Sequence, residues 1–181
     1  MPPDLLPAML GPFSVLPAHG IEAHGIEADD WFFRIYASSR EQDADVTRRH
    51  LDSQRTLLEH EFNSRQRSYP IDFPGVGFFL LYLHTSPAGR LYVQIAPRVV
   101  FIVDLVLLPA HRGSGHGTAL LVELIAWAHL RGLPVRLHVE KRNTRAAALY
   151  ERLGFRVIEE LAQHRLMEHA VPPPEPGPTG A

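Results

Sequence analysis

Cysteine is absent from the 181-residue chain. No disulfide framework, cysteine metal site or thiol nucleophile is therefore possible. Lysine is almost absent too: Lys141 is the single lysine among 18 basic residues. We read this arginine preference as the codon bias of a GC-rich genome before any functional meaning. Neither sign of charge dominates. The formal net charge of −2 leaves no global positive field to hold nucleic acid. No apolar run reaches the roughly 18 residues of a membrane span. The N-terminus also lacks the basic start of a signal peptide. The expectation is a soluble, cytoplasmic protein with neither a membrane nor a nucleic-acid partner.

What is present fits one domain with a sizeable core. Residues 1–28 read as an irregular segment. It carries a tandem repeat, Ala18-His19-Gly20-Ile21-Glu22 followed by Ala23-His24-Gly25-Ile26-Glu27. We read the repeat as a local duplication, not a metal site. Residues 171–181 are rich in proline and glycine and are expected to be disordered. The patterned region is 29–170. Phe13 to Leu16 suggests a short first strand. Asp29 or Asp30 can cap a helix through Ala37, and a second helix is expected over about 45–66. Its Arg48, Arg49, Arg55 and Arg65 read as a solvated face or as a rim for an acidic ligand. Strands are expected at Gly77–His84 and Arg90–Ala96, joined by a turn at Ser86–Gly89. Val99–Leu108 is apolar except for Asp104 and reads as a central strand buried on both faces. A helix over 115–131, a strand over 135–140, a helix over 144–153 and a closing strand pair complete the order. The whole is an α/β arrangement, a mixed sheet with helices on both faces.

A buried strand that empties through glycines into a helix makes an anion site. The first N–H groups of the helix lack partners, and its dipole adds positive potential. Here the turn is Arg112-Gly113-Ser114-Gly115-His116-Gly117, followed by Thr118. A nucleoside-triphosphate loop would need lysine after the glycines, and a dinucleotide fingerprint would need Gly-x-Gly-x-x-Gly. Both patterns fail. Arg-x-x-Gly-x-Gly, from Arg112 to Gly117, does fit, and so does a second block, Asn143, Ala146, Leu149, Tyr150, Gly154 and Phe155. Together the two blocks resemble the GNAT family of acetyl-CoA-dependent N-acetyltransferases. The flanks resemble short bacterial members, and the likeness covers most of 30–169.

The resemblance implies the GNAT fold: a mixed, mostly antiparallel sheet whose central parallel strand pair splays, with helices on both faces. It implies acetyl-CoA as co-substrate and an amine as acceptor. Arg112, Gly113, Ser114, Gly115, His116, Gly117 and Thr118 inherit the pyrophosphate cradle. Leu107 and Leu108 inherit backbone pairing with the pantetheine arm, and Leu107 N–H the oxyanion contact. Asn143 inherits a pantetheine contact, although it also reads as a helix cap. Tyr150 inherits protonation of the departing thiolate; the alternative is plain packing with a bonded hydroxyl. Many family members place a base on the central strand, but the matching Phe101 and Val103 are apolar. His138 becomes the better candidate for the base, with Asp104 on the neighbouring strand to orient it; alternatively the two form a buried, mutually satisfied pair. Glu140 is a third option. No histidine pair has convincing ligand spacing with a third donor, so no metal is expected. Dimers are common in the family, which makes a homodimer an expectation. Acceptor specificity is expected from 29–66 and 156–169. A catalytically inactive acyl-CoA-binding sensor is the rival reading.

Overall fold

The computed structural model describes residues 6–18, 28–40 and 51–173. The repeat beyond Ala18, Arg48, Arg49, the start expected for the second helix and the tail from 174 lie outside the described residues. The elements are β1 (Met9–Leu10), β2 (Phe13–Pro17), α1 (Ala28–Arg40), α2 (Leu51–Asp72), β3 (Val76–Leu83), β4 (Ser86–Ala96) and β5 (Val99–Leu107). A 3₁₀ turn at Pro109–His111 leads to α3 (His116–His129), β6 (Val135–Glu140), α4 (Thr144–Arg152), β7 (Arg156–Glu160) and β8 (His164–His169). All eight strands form one sheet in the order β1-β2-β3-β4-β5-β6-β8-β7. Among the described residues only β5 and β6 pair in parallel. This is the mixed, mostly antiparallel sheet with one central parallel pair expected from the sequence.

Helices cover both faces because the central strands are apolar on both. Leu91, Val93, Val100, Ile102, Leu137 and Phe155 pack with Leu120, Leu121 and Leu124 of α3 on one face. Leu80, Tyr82 and Tyr92 pack with Phe32, Ile35 and Tyr36 of α1 and Phe62 of α2 on the other. Each such apolar side chain taken fully out of water contributes about 1.5–3 kcal/mol before entropy is counted.

Two boundaries differ from expectation. The β3–β4 turn is His84-Thr85, with Leu83 paired to Ser86 and His84 at a φ of 57°. Gly89 had suggested a turn, but it lies inside β4 for a different reason. A Cβ there would strike the Val106 carbonyl and sit 2.7 Å from Leu107 Cδ2. The other difference is α2, which runs on to Asp72 with Pro70 in its last turn. Proline lacks the N–H that would bond back to Gln66, and a helix end tolerates that loss better than an interior. Phe73 N–H donates to Tyr69 O at 2.8 Å and closes the end.

A β-bulge positions the site. Tyr92 pairs with Asp104 but Val93 pairs with Ile102, so Val103 is an extra residue in β5. Beyond it the alternation of faces is reset. Val100 and Ile102 before the bulge, and Leu105 and Leu107 after it, pack on the α3 face. Val103, Val106 and Leu108 pack on the α1 face. The bulge also coincides with the end of parallel pairing, which stops at Ile102 and Leu137. From there β5 and β6 separate.

Candidate functional site

The separation of β5 and β6 opens a cleft of about 890 Å³. Its floor is Asp104 to Leu107 of β5. Its far wall is Glu140, Asn143 and the α4 residues Arg145, Ala146, Leu149 and Tyr150. One end is His111, Arg112, Gly113, Gly115, Gly117 and Thr118 of the turn, with Ser114 and His116 directed away; the other is closed by Tyr36, Ser39, Arg65 and Tyr69 of α1 and α2.

The turn is built as an anion cradle. Gly113 and Gly115 have φ of 81° and 83°, the left-handed region that glycine enters without a Cβ penalty. Gly115 is the N-cap of α3 and no side chain caps the helix. None of the N–H groups from Gly113 to Thr118 donates to a backbone carbonyl. Arg112 Nε donates to the Leu107 carbonyl at 2.5 Å, which fixes the guanidinium under the turn. Its Nη1 is buried with no partner. A buried guanidinium nitrogen without an acceptor costs free energy until an anion or water meets it. Burial, and then the neighbouring Arg145, depress the Arg112 pKa, yet a guanidinium remains a cation at neutral pH. Arg145 reaches over the turn, its Nη2 4.0 Å from where a Gly113 Cβ would lie. His116 does not face the cleft. Its ring contacts Ser114 Oγ at 2.9 Å and the edge of Phe13 at 5.9 Å. Only its N–H is left for a ligand.

The floor offers a free strand edge. Leu108 N–H donates to Ala88 O at 2.8 Å. Bonded pairs alternate along an antiparallel ladder, so Val106 also bonds toward β4. The N–H and C=O groups of Leu105 and Leu107 therefore face the split, where the Leu107 carbonyl already accepts from Arg112 Nε. Of the two residues the sequence suggested, Leu107 turns its N–H toward the split, whereas the Leu108 N–H is committed to β4; Leu105 lies two residues before Leu107 on the same edge.

At the far wall, Asn143 Oδ1 accepts from Ala146 N–H at 3.1 Å and caps α4, so the capping reading of Asn143 is realised while the residue also lines the cleft. The Tyr150 ring packs at 5.6 Å from Phe155. Its hydroxyl makes no hydrogen bond to any described residue. Burial, with a smaller contribution from Asp104, pushes its pKa up to about 12, so the phenol holds its proton at neutral pH.

The expected Asp104–His138 pair is not formed. His138 is exposed, with its ring 5.2 Å from Phe101 and 6.2 Å from His164. It does not line the cleft. Partial desolvation of the ring against its neighbours, then His164, lowers its pKa. Asp104 instead accepts from Arg90 Nε at 2.7 Å. The bulge explains the change: with Val103 extra, Asp104 fills the site-facing position that simple alternation gave to apolar Val103. No sequence motif marks Arg90, Tyr69 or Arg145, although all three line the cleft. The one signal for Arg90 was a cation inside an otherwise apolar strand pattern. Among the described residues no group of three or more His, Asp or Glu is placed to hold a metal. No helix among them is long and apolar enough to cross a membrane.

Comparison with known proteins gives the following. The family model described as acetyltransferase (GNAT) family matches residues 36–155. A mycothiol acetyltransferase of Renibacterium salmoninarum is 35% identical over 81 residues, which is 44% of this chain and 22% of that protein. The match thus spans less than a quarter of that relative. An acetyltransferase from Thermus thermophilus shares the fold with a TM-score of 0.60 at 18% identity, covering 89% of this chain and 99% of that one. The PaiA N-acetyltransferase of Thermoplasma acidophilum, solved in complex with coenzyme A, aligns with a TM-score of 0.56 at 18% identity over 78% of this chain and 91% of its own.

Proposed function

Since this chain belongs to the acetyltransferase (GNAT) family, we propose that it transfers an acetyl group from acetyl-CoA to a primary amine of a small molecule or peptide, by direct attack. One observation carries the reading. The turn with its unpartnered N–H groups, the free edge of Leu105 and Leu107, and the unbonded Tyr150 hydroxyl all open into one cleft. An anion holder, an extended-chain holder and a proton donor, in that order, match the pyrophosphate, the amide-bearing arm and the thioester of acetyl-CoA.

Each group then has a task. The N–H groups of Gly113 to Thr118, with Arg112 and Arg145, hold the pyrophosphate. Leu105 and Leu107 pair with the arm as an added strand would. The amine nitrogen attacks the thioester carbonyl carbon, and a backbone N–H of the β5 edge donates to the oxygen as negative charge develops there. The C–S bond breaks. Tyr150 gives its proton to the CoA sulfur, and the nitrogen loses its proton toward Asp104 or through water. We assign the amine side to Asp104 and not to His138, because Asp104 lines the cleft. No acyl-enzyme arises on sulfur, since the chain has no cysteine. By this account the protein acts as a soluble enzyme and needs no metal.

The test is release of CoA thiol from acetyl-CoA across a panel of amines, beside calorimetry of CoA binding. Saturable, amine-dependent release supports transfer. Tight CoA binding with no turnover on any amine would move the chain to the sensor class.

A further inference from the structure

Arg90 is the most deeply buried charge among the described residues, at 3% exposure. A guanidinium taken out of water needs a counter-charge and acceptors. Its Nε meets Asp104 Oδ2 at 2.7 Å and its Nη1 donates to the Phe32 carbonyl of α1 at 3.2 Å. Its charge lies against two aromatic rings, 5.0 Å from the centre of Tyr92 and 5.4 Å from that of Tyr36. Four contacts from α1, β4 and β5 thus fix one side chain. Asp104, at 22% exposure, lines the cleft. Its Oδ1 has no hydrogen-bond partner among the described residues.

We propose that Arg90 is the positioning residue for the acceptor amine: it locks Asp104 through Oδ2 and leaves Oδ1 for the amine nitrogen or its proton. The inference rests on the acyl-transfer reading above. Three phenols lie near enough to feel the Asp104 charge: Tyr69 of α2, Tyr92 of β4 and Tyr150 of α4. All three keep their protons at neutral pH, since burial raises each pKa. Arg90 is the buried cation in direct contact with the Asp104 carboxylate. Burial acts to lower the Arg90 pKa, but Asp104 and the tyrosines more than offset that. Because Arg90 also holds the Phe32 carbonyl, the seating of α1 and the aim of Asp104 are mechanically linked.

The experiment compares wild type, Arg90→Met, Arg90→Lys and Asp104→Asn with one amine. Wild-type turnover first establishes that the amine is acetylated; no turnover on any amine would remove the acyl-transfer reading and this inference with it. Without the lock on Oδ2 the Asp104 carboxylate loses its aim, so Arg90→Met should raise the amine KM about tenfold or more, while the KM for acetyl-CoA stays unchanged. Arg90→Lys keeps the charge but loses the fork, so it should raise the amine KM by a smaller factor. Arg90→Met added to Asp104→Asn should cost little more than Asp104→Asn alone, because the two residues act as a unit. A folded Arg90→Met with the wild-type amine KM overturns the proposal. If Arg90→Met does not fold, an Arg90→Lys enzyme with the wild-type amine KM overturns it equally.

Discussion

Tyr150→Phe removes one oxygen and little else. The ring keeps its contact with Phe155, and the lost hydroxyl leaves no described partner stranded. Stability should therefore stay within about 0.5 kcal/mol of wild type. Turnover should not. A positioned proton donor is worth about 10²–10⁴ in rate, or roughly 3–5 kcal/mol of barrier at 1.36 kcal/mol per decade. We expect kcat to fall by about 10² or more with CoA affinity unchanged, because the pyrophosphate holders lie at the other end of the cleft. Thiol release read with a colorimetric thiol reagent is a clean assay, since the chain has no cysteine to react. Single-turnover mixing separates chemistry from CoA release. With a phenol pKa near 12, the donor stays protonated through neutral pH, so wild-type kcat should show no Tyr150-dependent fall below about pH 10. A Tyr150→Phe enzyme whose single-turnover rate equals wild type would remove the residue from the chemistry and return it to packing.

Three further outcomes follow from the geometry. Arg112→Ala and Arg145→Ala should each weaken CoA about tenfold or more, in line with charge-assisted hydrogen bonds of about 1.5–3 kcal/mol, and leave pantetheine binding unaltered by calorimetry. Gly89→Ala should destabilise by about 1–3 kcal/mol, read as a lower Tm, because its Cβ would press on Leu107 Cδ2 at 2.7 Å and on the Val106 carbonyl. Asn143→Ala removes the α4 cap and should cost about 0.5–2 kcal/mol; Asn143→Asp should recover most of it in thermal unfolding.

The parts of the site that belong to one contiguous segment could be read from the sequence. The turn at Arg112–Thr118 and the α4 block announce themselves by glycine spacing and a cap, both local physics. What could not be read depends on pairing between distant strands. The Val103 bulge is invisible in the apolar run Val99–Leu108, yet it decides that Asp104 faces α1 and meets Arg90 instead of His138. Gly89 looked like a turn because a glycine's close approach to another strand leaves the same mark as a positive φ. Leu108 looked equivalent to Leu107, but ladder parity gives its N–H to Ala88. Two-residue β1 is too short to show any period.

The central claim is that the acetyl group passes directly from CoA to an amine held beside Asp104. Single-turnover reaction with isotopically labelled acetyl-CoA, quenched and read by mass spectrometry, tests it most directly. The account predicts the label on the amine, appearing at the same rate as free CoA, with none on the protein. Label retained on the protein, or free acetate released without an acetylated amine, would contradict it.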